Sequence, residues 1–284
     1  MRLKLLKKNK TFSGETCFYE HASEVTQTNM KFSAFLPGDR SQIQNCIIWL
    51  SGLTCTEENF ITKAGAQQFL DGTNTMIICP DTSPRGLNLP GEHVSYDFGS
   101  GASFYVNATS PGYCDHYRMY DYIAKELVSI IRSDFGAKKI SIMGHSMGGH
   151  GALVLGLREQ DTFVCVSAFS PIVNPIAVDW GEKAFHGYLG ENKEDWKKYD
   201  ATEIIRSGVS RKDTLLIDQG LSDEFLEKQL LTQHLVDVAK KSGQKVIVHF
   251  REGYDHSYFF ISTFIKEHLE FHLKAFLMRE AEIN

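Results

Sequence analysis

The chain has 284 residues, of which 42% are hydrophobic and 23% charged, and its net charge is −5. That length suits one large α/β domain, taken as residues 1–284, and the balance excludes a disordered or fibrous chain. The charge carries no basic stripe, so nucleic acid is not an expected partner, and no apolar stretch is long enough for a transmembrane helix.

At the N-terminus, Lys4-Leu5-Leu6-Lys7-Lys8-Asn9-Lys10 reads as a solvated edge strand rather than a membrane anchor. Lysines there discourage edge-to-edge pairing, and one short basic cluster without a lipid signal binds membranes weakly. The same stretch lacks the apolar core of a secretory signal, so none is expected. Cys17, Cys46, Cys55, Cys79, Cys114 and Cys165 form no C-x-x-C pair, and several sit inside apolar runs. They read as reduced, buried thiols of a cytoplasmic protein.

Met30–Leu36 alternates in polarity. Cys46–Leu50, Thr75–Cys79, Ile140–Met143, Phe163–Phe169, Thr214–Asp218 and Lys245–Phe250 are short, continuous and rich in β-formers. Such runs suit strands covered on both faces. Between them, Glu57–Leu70, Tyr117–Phe135, Met147–Glu159, Asp223–Lys241 and Ser257–Met278 have helical character. Strand alternating with helix predicts a mostly parallel central sheet flanked by helices on both faces. Two long stretches, Pro80–Cys114 and Pro171–Ser210, show no clear period and both leave the C-terminal ends of predicted strands. Open α/β sheets place their ligand crevices at that edge.

The segment G-H-S-M-G, residues 144–148, lies between a predicted strand and a predicted helix. G-x-S-x-G in that setting is the pattern of a nucleophile elbow. A strand turning abruptly into a helix brings two backbones together, so a Cβ at Gly144 or Gly148 would collide with its neighbour. The turn exposes the Ser146 hydroxyl and sets the Met147 amide at a helix N-terminus, where N–H groups lack partners and negative charge is favoured. A serine needs a base, and in this arrangement an acid and then a histidine follow in the chain. After the strand ending at Asp218, the loop offers Asp218, Asp223 and Glu224. After the last strand, it offers His256. Asp223 is preferred, because Asp218 ends the strand as a structural group, Glu224 suits a first helical turn, and Asp255 would have to fold back on its neighbour. The loop after Trp49–Leu50 supplies a second oxyanion donor, the amide of Leu53.

Other residues have structural readings. His145 and His150 flank the serine and read as hydrogen-bonded structural groups. His268 and His272 are spaced four apart on a helix, but no cysteine or acidic cluster completes a ligand set, so no metal is expected. Cys55 borders the site, yet no base is placed to make it a rival nucleophile.

W-L-S-G-L-T-C-T-E-E-N-F, P-D-T-S-P-R-G, G-H-S-M-G-G-H-G-A-L, D-Q-G-x-x-D-x-F-L and E-G-Y-D-H-S-Y-F-F-I together resemble the S-formylglutathione hydrolase (esterase D) family, over nearly the whole chain. The resemblance implies an α/β-hydrolase fold and hydrolysis of the thioester S-formylglutathione to glutathione and formate. It implies Ser146, Asp223 and His256 as the triad, Leu53 and Met147 as oxyanion donors, no cofactor, a cytoplasmic location and a homodimer. Tyr96, Ser103, Asn107 and Asp179 stand where Trp, Gly, Asp and Pro are usual in the family. Under this resemblance Cys55, Trp180, Lys183 and Phe185 are candidate substrate contacts. Lys183 would suit an anionic tripeptide, with loop packing as the alternative. A broad small-acyl carboxylesterase is the rival activity.

Overall fold

The computed structural model describes residues 3–281. Nine strands form one sheet: β1 Lys4–Thr11, β2 Gly14–Ala22, β3 Asn29–Leu36, β4 Asn45–Leu50, β5 Thr75–Pro80, β6 Lys139–His145, β7 Phe163–Phe169, β8 Leu215–Gly220 and β9 Val246–Arg251. Their order is β1-β2-β3-β5-β4-β6-β7-β8-β9. Strands β4 to β9 run parallel, and β1, β2 and β3 attach antiparallel to one another and to β5. This is the predicted mostly parallel sheet, with an antiparallel flank added where no helix separates the strands.

The period of two along β4 explains the layering. Cys46, Ile48 and Leu50 enter one apolar cluster, and Ile47 and Trp49 enter the other. Burial on both faces is why this strand reads as a continuous apolar run. On the first face lie the helices Met147–Arg158, Ala201–Arg206 and Thr232–Ser242. On the second lie Glu58–Lys63, Gln67–Leu70 and the long helix Tyr258–Ala281, with Trp49 stacked on Phe60 at a centroid distance of 3.8 Å. The lysine-rich β1 is an exposed edge strand, with Lys8 paired to Glu15 at 2.7 Å.

Three predicted helices differ from expectation. Glu57–Leu70 breaks at Gly65, whose φ of +67° turns the chain between two short helices. Tyr117–Phe135 contains a π-helical stretch, Tyr122–Leu127. Asp223–Lys241 is interrupted by Leu231 in the left-handed region, and only Thr232–Ser242 continues as α-helix. Both unpatterned stretches leave strand ends, and the second folds into short helices that include Asp179–Leu189. Strand β2 has no counterpart in the sequence reading, because Glu15, Glu20 and His21 interrupt its apolar pattern.

His268 and His272 tie the long helix to the sheet centre. His272 Nδ1 lies 2.7 Å from Ser141 Oγ and its Nε2 2.8 Å from Ser167 Oγ. His268 Nδ1 is 2.9 Å from Ser167 Oγ, and its Nε2 is 3.3 Å from Asp218 Oδ1. One proton arrangement satisfies every contact. Ser141 donates to His272, His272 Nε2–H donates to Ser167, Ser167 donates to His268, and His268 Nε2–H faces the carboxylate. Both rings are then neutral, as burial requires.

Burial lowers the His272 pKa to about 3 and that of His150 to about 4, and lowers His268 against the opposing pull of Asp218. Unfolded, each imidazole takes a proton near pH 6.5. Their neutral burial therefore leaves stability intact above that pH and removes it as pH falls toward the folded values, at about 1.4 kcal/mol per unit for each ring. The melting temperature is expected to fall between pH 7 and pH 5. His272→Gln, which keeps one donor and one acceptor, is expected to show a shallower fall. Equal pH slopes for the two proteins would refute this account.

Candidate active site

The chain leaves β6 at His145 and enters the helix Met147–Arg158 after one residue. Ser146 makes that turn with φ 58° and ψ −120°, a strained conformation for a residue with a side chain. Its amide donates to Phe169 O at 3.0 Å, and its carbonyl accepts from His150 N at 2.9 Å. The glycines permit the approach. A Cβ on Gly148 would meet Leu50 O, with Ser51 O at 2.6 Å, and one on Gly144 would meet Gly148 O. A Cβ on Gly151 would lie 2.6 Å from Tyr105 Cδ2, and one on Gly149 2.9 Å from Pro171.

The loop after β4 is braced from several directions. Tyr105 OH donates to Ser51 O at 2.9 Å, and Trp49 Nε1 donates to Ser51 Oγ at 2.9 Å. Thr54 N donates to Gly101 O at 2.9 Å. Arg85 donates to Cys55 O at 3.0 Å while paired with Asp81 at 2.8 Å, and Thr82 Oγ1 donates to Cys55 O at 2.6 Å. Within this frame, and among the described residues, neither the Leu53 nor the Met147 amide has an acceptor. Leu53 lines the same cavity as Ser146, and Met147 follows Ser146 in the chain; fixed, unpaired N–H groups at such a place can stabilise developing negative charge.

Asp223 and His256, from the loops after β8 and β9, meet at 2.6 Å between Oδ2 and Nδ1. Asp223 is buried, and its Oδ1 accepts from Phe225 N at 2.9 Å. With Nδ1 engaged, Nε2 is the nitrogen left for the serine. Ser146 and His256 line the same cavity of about 350 Å³, although no hydrogen bond joins them among the described residues. Catalytic hydrogen bonds are commonly long before substrate enters. The competing acids are occupied elsewhere. Asp218 holds Arg251 Nε at 2.6 Å and His249 at 3.0 Å, Asp255 caps Ser257, and Glu224 is exposed. Asp218, His249 and Glu267 cluster as a cation site would, but the Arg251 guanidinium bonds Asp218 and Glu267 and supplies the positive charge.

Cys55 and Trp180 border the cavity, as do Tyr96, Phe225 and Tyr258. The Tyr96 hydroxyl accepts from Trp180 Nε1 at 3.1 Å, Trp180 packs on Phe225 at 4.8 Å, and Phe225 meets the His256 ring edge-on at 5.1 Å. Phe185 is buried in the core, and Lys183 is not brought to the cavity wall. Its ammonium is held by Asp97 at 2.6 Å and by Ser95 Oγ at 2.7 Å. His150 bonds Phe104 O at 2.9 Å as a structural group. His145 departs from that expectation. Among the described residues its buried Nε2 has no partner, its ring lies 4.4 Å from that of His256, and burial pushes its pKa well below the usual imidazole value. A neutral ring there spares His256 a neighbouring positive charge. Arg85, Phe225 and Tyr258 were not singled out from the sequence, since nothing in their spacing connects them to Ser146.

Residues 23–271 match a family model described as "Putative esterase". The S-formylglutathione hydrolase of Rattus norvegicus is 46% identical over 279 residues, covering 96% of this chain and 99% of the relative. That of Arabidopsis thaliana is 47% identical, with coverage of 94% and 95%. Among solved structures, an S-formylglutathione hydrolase from Agrobacterium tumefaciens superposes with a TM-score of 0.92 at 38% identity, covering 95% of this chain and 99% of that one. The fold is that of the α/β-hydrolases.

Gly148→Ala is expected to cost about 3 kcal/mol of stability, since the added methyl meets backbone carbonyls that cannot yield. Urea denaturation measures it, and a loss below about 1 kcal/mol would show that the approach of the two backbones is not tight. At Cys55, burial raises the thiol pKa against the lowering charge of Lys63. Iodoacetamide is therefore expected to inactivate the native protein slowly near pH 7 and faster as pH rises, and Cys55→Ser to abolish this sensitivity. Full activity after stoichiometric alkylation of Cys55 would overturn that expectation.

Proposed function

The chain belongs to the S-formylglutathione hydrolase family of esterases, and we propose that it cleaves S-formylglutathione to glutathione and formate. The observation that carries the mechanism is the 2.6 Å contact of His256 with Asp223 beside the strained Ser146. His256 Nε2 takes the Ser146 proton as Oγ bonds to the thioester carbonyl carbon. The carbonyl oxygen gains the negative charge and accepts from the amides of Leu53 and Met147. The C–S bond then breaks, glutathione leaves with the proton held by His256, and a formyl ester remains on Ser146. Water, deprotonated by His256, attacks that ester. Formate departs and the serine oxygen recovers its proton. Asp223 fixes the imidazole tautomer and stabilises the transient imidazolium. In this reading the enzyme works in the cytoplasm, in keeping with six free cysteines, and as a homodimer.

One observation favours the rival activity. The cavity lining contains no Lys, Arg, Asp or Glu, so a small neutral oxygen ester also fits it. The experiment compares kcat/KM for S-formylglutathione and for 4-nitrophenyl acetate. A large preference for the thioester is expected, whereas comparable values would establish a general carboxylesterase. Ser146→Ala is expected to reduce kcat by about 10⁴-fold or more, and Asp223→Asn by about 10⁴-fold. Retained turnover in Ser146→Ala would end the acyl-serine mechanism.

A further inference from the structure

The uncharged cavity poses a recognition problem for a substrate whose thiol arm is an anionic tripeptide. Two nearby cations are already neutralised, Arg85 by Asp81 and Lys183 by Asp97. Lys63 is different. It ends the helix Glu58–Lys63, which follows the oxyanion loop directly, and its side chain is exposed. Its ammonium lies 5.3 Å from the centroid of the Tyr258 ring. Tyr258 lines the cavity two residues after His256, and its buried hydroxyl faces Ser51 and Cys55. Lys63 also acts electrostatically on Cys55, another lining residue. Among the described residues, no carboxylate lies within ion-pairing distance of Lys63.

We propose that Lys63, poised over the ring of the cavity-lining Tyr258, receives a carboxylate of the glutathione arm and is the charge that selects anionic thioesters. The inference rests on the substrate reading above and adds the residue that recognises the leaving group. A cation resting on an aromatic face keeps its charge and exchanges ring contact for a carboxylate at low cost. The pair would sit at the solvent border, so its contribution is modest and screened by salt.

The test separates this inference from the substrate assignment by reading inhibition rather than thioester turnover. Hydrolysis of 4-nitrophenyl acetate is measured with S-methylglutathione as competitor, and again with its dimethyl ester, in which both carboxylates are masked. Lys63→Gln is expected to raise the inhibition constant of S-methylglutathione roughly two- to fivefold at low salt. It should leave that of the dimethyl ester, and kcat/KM for 4-nitrophenyl acetate, unchanged. Lys63→Arg should restore wild-type inhibition. An unchanged constant for S-methylglutathione in Lys63→Gln, or an equal rise for the dimethyl ester, would overturn the proposal. Turnover of S-formylglutathione by the wild type, assayed in parallel, judges the substrate assignment on its own.

Discussion

The contact on which the site depends is backbone against backbone. Gly148, in the first turn of its helix, lies so close to the carbonyls of Leu50 and Ser51 that a methyl group cannot be placed between them. That approach sets the end of β4 beside the start of the helix and brings the loop that carries Leu53 to the cavity that Ser146 lines. It also forces Ser146 into a conformation that a side chain avoids, and the surrounding bonds hold it there. Strain at one residue and the absence of side chains at its neighbours are two aspects of one packing requirement.

His256 is placed differently from four other imidazoles of the protein. His145, His150, His268 and His272 are buried, and burial favours their uncharged forms. His256 is more accessible and has a carboxylate at Nδ1. The positive charge that the proposed mechanism places on His256 would meet Asp223 on one side and an uncharged His145 on the other. The same economy appears at Asp218, which lies in line with Asp223 in the sequence but spends its oxygens on Arg251, His249 and His268.

Much of this was legible in the chain. Strands buried on both faces announce themselves as continuous apolar runs, and seven of the nine were read that way or by alternation, with β1 recognised from its lysines. Ser146 was legible because glycines flank it at a strand-to-helix change, and Asp223 and His256 because they fall in loops after later strands. What was not legible depends on pairs distant in sequence. Nothing local shows that Lys183 is claimed by Asp97, 86 positions earlier, or that Tyr96 reaches Trp180. Leu231 breaks a helix although it is neither Gly nor Pro. The bond from Val173 N to Leu230 O and that from Trp180 N to Gln229 Oε1 anchor the chain just before it. Strand β2 was missed because its polar residues face partners on β1 and β3 that only the register reveals.

The wall built from Trp180 has an optical consequence. The chain has three tryptophans, and two of them, Trp49 and Trp196, are sealed in the interior. Trp180 alone borders the cavity, with its indole N–H on a tyrosine and its ring against Phe225. Whatever enters the cavity alters the surroundings of that single fluorophore, so the unlabelled enzyme carries its own reporter of occupancy.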